Sequence, residues 1–239
     1  MLVAAAVCPA PPLLVPEVAA GAAAELDDAR TACSDALAVL AASRPDLLVV
    51  VGAADAGHLG PYPPGSRGTF RGFGVDGGPG SGVQLGEGEE GARLLPPSLA
   101  VGAWLLRRAR WGSAPVEGFG VAAPLETAAC LDAGRGLAAR EARVALLVMG
   151  DGSACRTLKA PGYLDERAAA FDAAAGRALG AADTAALAGI DPALAAELQA
   201  AGRAPWQVLA GAAEDAGLDG RLLYEDAPYG VGYFVAAWS

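Results

Sequence analysis

The residues able to move a proton or hold a charged group stand at the ends of apolar runs. Val144-Ala145-Leu146-Leu147-Val148 leads into Met149-Gly150-Asp151-Gly152-Ser153-Ala154-Cys155-Arg156. The apolar run reads as a strand buried on both faces, and the small residues after it turn the chain at the strand's carboxyl end. In open α/β sheets that end is where ligands bind. Asp151 is therefore a candidate general acid or base, although an Asp at such a position also ties down a turn. Ser153 is a candidate catalytic hydroxyl, but Gly-Asp-Gly-Ser-Ala-Cys lacks the G-x-S-x-G spacing of a nucleophile elbow. Glu225, followed by Asp226 at the end of the run from Leu222, is the second acid/base candidate. Arg156, His58 and Tyr229 are the candidates for holding substrate. Arg156 and Lys159 suit an anionic group, or equally pair with carboxylates on a wet loop.

The same inventory excludes chemistry. His58 is the only histidine, so a single chain cannot build a metal site on two or three imidazoles. Cys8, Cys33, Cys130 and Cys155 form no C-x-x-C, which argues against a zinc knuckle or redox pair and for reduced, buried thiols in a cytosolic protein. Gly72-Phe73-Gly74-Val75-Asp76-Gly77 has the letters of a dinucleotide fingerprint, but Gly-Pro-Gly-Ser-Gly follows it and cannot open a helix. A loop or hairpin is the better reading. The net charge of -10 leaves no basic face for nucleic acid or an anionic membrane surface. Leu2–Cys8 has no Lys or Arg before it and reads as a strand rather than a leader. No apolar run approaches the roughly 18 residues of a membrane span.

The elements that must position these residues alternate along the chain. Strands are expected at Leu2–Cys8, Leu47–Val51, Pro115–Val121, Val144–Met149, Leu222–Glu225 and Gly230–Trp238. Between them the apolar spacing predicts helices at about 17–43, 96–110, 125–140, 165–182, 191–201 and 204–216. The first would carry Leu26, Leu37 and Leu40 on its apolar stripe, with Glu25, Asp27, Asp28 and Arg30 on the wet side. Asp191-Pro192 reads as N-cap and first helical residue. This alternation implies one α/β domain, a three-layer αβα stack on a central, mostly parallel sheet, with a Gly-rich insertion at about 72–92.

Four segments, taken together, carry a resemblance: Cys-Pro-Ala-Pro-Pro-Leu-Leu-Val-Pro-Glu at Cys8–Glu17, Asp-Leu-Leu-Val-Val-Val-Gly at Asp46–Gly52, Gly-Asp-Gly-Ser at Gly150–Ser153, and Gly-Val-Gly-Tyr-Phe at Gly230–Phe234. In this order they resemble the LigB-like family of class III extradiol ring-cleavage dioxygenases, to which the Memo-like proteins are related. The resemblance implies the αβα fold and a non-haem iron(II) held by two His and a carboxylate, with a further His as acid/base. Here the chain departs from it. Ala10 stands where the first ligand is expected, Ala53-Ala54 where the second is expected, and Ala154 where the acid/base His is expected. Alanine offers neither lone pair nor proton. Only a carboxylate such as Glu225 remains.

The expectation is thus a family member degenerate at its iron site, binding a small molecule or a protein, with no cofactor and as a possible homodimer. The alternative is an active enzyme. It would be either an iron(II) dioxygenase rebuilt around other ligands or a metal-independent acid/base enzyme using Asp151 and Glu225.

Overall fold

The computed structural model describes residues 1–75, 81–88 and 93–239. In chain order the elements are β1 (Leu2–Cys8), α1 (Pro16–Ala19), α2 (Asp27–Ala42), β2 (Leu47–Ala54), β3 (Gly60–Tyr62), β4 (Arg67–Thr69), β5 (Gly82–Gln84), α3 (Pro97–Arg108), β6 (Val116–Ala122), α4 (Thr127–Ala138), β7 (Val144–Met149), α5 (Ala168–Gly180), α6 (Thr184–Ala188), α7 (Pro192–Glu197), α8 (Arg203–Ala213), β8 (Gly220–Asp226) and β9 (Tyr233–Trp238). Seven strands form one sheet in the order β3-β6-β2-β7-β1-β9-β8. The central strands β6, β2, β7 and β1 are parallel. β9 lies antiparallel between β1 and β8, and β3 is antiparallel on the opposite edge.

The strands follow from their composition. β7 is buried at every position, as a continuous apolar run covered on both faces must be. Successive residues face opposite layers. Ala145, Leu147 and Met149 join Cys8, Val50 and Val235 in a core under α2 and α3. Val144, Leu146 and Val148 join Val7, Val49 and Phe234 in a second core that also takes in buried residues of α5 and α8. The three-layer αβα architecture is therefore as the alternation of elements implies. The carboxyl ends of β1, β2, β7 and β8 all lie at one edge of the sheet.

The long first helix is interrupted. Ala20 sits at φ 48° and a 3-10 stretch, Ala20–Leu26, separates α1 from α2. Arg30 explains the break. It is buried rather than on the wet side, and its guanidinium donates to the carbonyls of Leu14 (3.1 Å) and Ala23 and to Asp27 (2.8 Å). Of these, the Ala23 carbonyl is one that a continuous helix would have satisfied itself. Elsewhere the helices are shorter than their apolar spacing suggested. Asp191 caps α7 as expected, accepting from the Ala193 N–H at 2.8 Å. α6 was not anticipated; Asp183 caps it by accepting from the Ala186 N–H. In the Gly-rich region β4 and β5 pair as a small antiparallel ladder. The end of the Gly72–Gly77 motif lies outside the described residues.

Candidate functional site

The alternation of side chains sorts the candidate residues onto two faces of the sheet's carboxyl edge. On the α2 face, Tyr233 at the start of β9 belongs to the α2/α3 core and Ala10, just past β1, packs on it. Asp151 joins them: its Oδ1 accepts from the Ala10 N–H at 2.8 Å, bridging the ends of β7 and β1. Tyr229, in the loop before β9, also packs here, and its hydroxyl donates to Glu25 Oε2 at 3.0 Å.

Among the described residues no cation accompanies Asp151. Burial disfavours the charged form and pushes its carboxyl up to about 7, opposed only by the Ala10 hydrogen bond. Burial likewise raises Tyr233, and the charge of Asp151 raises it further. Tyr224, on the same face of β8, is pushed up to about 12 by burial and then by Asp226 and Asp28. One carboxyl and several phenols thus share this face of the sheet. Beneath it, the Gly202 N–H at the head of α8 donates to the Asp151 carbonyl at 2.7 Å. The adjoining Trp206 indole stacks edge-on against Phe234, and its Nε1–H finds no partner among the described residues.

On the α5 face lies a second carboxyl, Asp172 of α5, which is fully buried. It accepts from the Ser153 N–H and the Ser153 hydroxyl, both at 2.8 Å, and from Arg156 at 3.1 Å. Gly152 and Gly232 make room for it. A Cβ at either position would come within 2.7 Å or 2.5 Å of its oxygens. Ser153 is fully buried with its hydroxyl committed to Asp172, which suits a structural pin better than a nucleophile.

Asp151 and Glu225, the two carboxylates of the acid/base alternative, lie on different faces of the sheet. In the β8–β9 ladder Glu225 stands opposite Phe234, whereas Asp226 stands opposite Tyr233. Directly paired residues share a face, so Glu225 points toward α5 and Asp151 toward α2. Arg156 and Glu225 line one open cleft of about 390 Å³, together with Thr157, Asp226, Ala227 and Phe234. His58 stands apart, on a turn whose carbonyl abuts Gly120 of β6 and accepts from the Tyr62 hydroxyl at 2.7 Å. Since β2 lies between β6 and β7, this is two strand spacings, roughly 10 Å, from the Asp151 strand. Asp172 was missed by motif reading. The available signal was its spacing: Ala168, Asp172, Ala175 and Leu179 form the buried stripe of α5, where an acid needs an internal partner.

The iron(II) that the family resemblance implies does not fit these residues. The methyl groups of Ala10, Ala54 and Ala154 replace the expected donors. Among the described residues no three His, Cys, Asp or Glu side chains converge to hold a cation. The four thiols are buried and free, and Cys8 titrates above its ordinary value through its neighbour Cys33 and then through burial.

The molecule is thus a three-layer αβα protein in which a desolvated carboxyl, Asp151, stands at the carboxyl edge of a mostly parallel sheet. No family model matches the chain, and no curated protein matches it. Among solved structures it is similar to the "Crystal structure of uncharacterized protein JW3007 from Escherichia coli K12", with a TM-score of 0.51 and 15% identity over 99% of each chain. At that identity the likeness speaks to the fold alone. Among the described residues no helix is long and apolar enough to cross a membrane.

Proposed function

We propose that this chain binds a small hydroxylated molecule at the carboxyl edge of its sheet, and that Asp151 exchanges a proton with it without a metal. The observation that carries this reading is the setting of Asp151. One oxygen is held by the Ala10 N–H, no cation among the described residues neutralises the carboxyl, and burial brings it to about 7. A group poised there gives and takes a proton with little driving force lost in either direction. A turn-forming Asp needs none of this desolvation. Tyr233 and Tyr229 lie on the same face, and aromatic neighbours suit a phenolic or enolic ligand. Glu225 has no part in this step, because it faces the other layer.

The test is a carbon-13 NMR titration of the Asp151 carboxyl, followed by catechol binding across the same pH range. A midpoint near 7, with catechol affinity that varies between pH 6 and 8 in the native chain but not in Asp151→Asn, supports the reading. A midpoint near 4 overturns it. Protein purified from its own host is expected to carry far less than one iron per chain by elemental analysis. Stoichiometric tightly bound iron would restore the dioxygenase reading.

A further inference from the structure

The α5 face presents a second, differently built recess. Its lining brings opposite charges together, Arg156 and Glu225, with the Phe234 ring also in the wall. Arg156 is held from two directions. Its N–H donates to the Gly230 carbonyl at 3.0 Å, and one guanidinium nitrogen donates to the buried Asp172 at 3.1 Å. Only one of the five guanidinium donors is used there, so the rest of the planar fork stays open to the cleft. Asp172 is itself fixed by Ser153. The guanidinium is thus aimed by a chain of hydrogen bonds rather than left to wander.

Glu225 is placed by a different device. It lies against Gly176 of α5, where a Cβ would come within 3.1 Å of Oε2. Among the described residues Glu225 takes part in no ion pair. Arg156 and Glu225 therefore share one cleft without neutralising each other. Two opposite charges lining a recess of about 390 Å³, the guanidinium held by hydrogen bonds and the carboxylate unpaired, match a ligand that carries both charges itself.

We propose that this cleft binds a free α-amino acid, its carboxylate on the open edge of Arg156 and its ammonium on Glu225. The Arg156–Asp172 pair is neutral as a unit, so Glu225 leaves the cleft acidic. Amino acids with a second positive charge, such as L-lysine or L-arginine, are accordingly preferred. The inference does not rest on the Asp151 reading, since the two groups occupy opposite faces of the sheet.

The experiment is calorimetric titration of the full chain with L-lysine, propylamine and propionate, the last two offering one half of the ligand each. L-lysine is expected to bind about tenfold or more tightly than either fragment. Glu225→Gln should weaken L-lysine about tenfold while leaving the melting temperature unchanged, because no internal partner is lost. Asp151→Asn should leave L-lysine binding as it is, which separates this site from the one on the α2 face. L-lysine binding no tighter than propylamine, or unaltered by Glu225→Gln, would overturn the proposal. So would the absence of saturable binding by any of L-lysine, L-arginine and L-glutamine at millimolar concentration.

Discussion

Asp151 and Asp172 are two carboxyls at one edge of one sheet, on opposite faces, and the chain treats them in opposite ways. Asp172 is fully buried yet receives two donors from Ser153 and a guanidinium from Arg156, with two glycines clearing its space. Asp151 receives one backbone N–H and, among the described residues, no cation. Removing a carboxylate from water costs several kcal/mol unless partners replace the lost hydration. On the α5 face they do, and the loop after β7 is pinned. On the α2 face they do not, and the energy remains as a shifted protonation equilibrium. An acid left uncompensated is the one to suspect of chemistry.

Substitution breaks this contrast most sharply at Asp172. Asp172→Ala strands the buried Ser153 hydroxyl and releases Arg156, and should cost about 3–5 kcal/mol by chemical denaturation. A loss below about 1 kcal/mol would mean that the pin is decorative. Asp151→Asn should act in the other direction. The folded chain holds the Asp151 proton to about pH 7, whereas the unfolded chain releases it near 3.8. The native state therefore binds more protons in that window, and the stability this group contributes is present below about pH 4 and lost as pH rises through 7. The amide still accepts from Ala10 but cannot ionise. Asp151→Asn should be more stable than the native chain by up to about 4 kcal/mol at pH 8 and equal to it near pH 4. A constant difference across that range would assign the effect to packing. The smallest effect is expected at Trp206→Phe, which removes the unpartnered indole N–H. The change should lie within about 1 kcal/mol of neutral, the lost area offsetting the relieved donor.

Legibility in the sequence followed the same division. The sheet was readable because Val144–Met149 and Leu47–Val51 are continuous apolar runs and each ends in small residues. Asp151 was readable because it follows such a run directly. Which face a residue serves was not readable beyond the strand ends, because a single step in β8–β9 register sends Glu225 to one layer and Asp226 to the other. Nor could local pattern show that Arg30 folds inward to serve the carbonyls of Leu14 and Ala23, a partnership set by tertiary placement. Asp172 lies nineteen positions from Ser153, so only the fold brings them together.

The placement of β1 also governs how the chain is made. Both of its neighbours, β7 and β9, are drawn from residues beyond 143, and β9 is completed only at Trp238. At ribosomal rates of about 5–20 residues per second, β1 waits roughly 10–50 s before its second edge is covered. Throughout that interval Leu2–Cys8 offers two open rows of backbone donors and acceptors on an Ala-rich, uncharged strand. The nascent chain therefore depends on slow, distant closure, and its period of greatest exposure to wrong pairing falls during synthesis rather than after it.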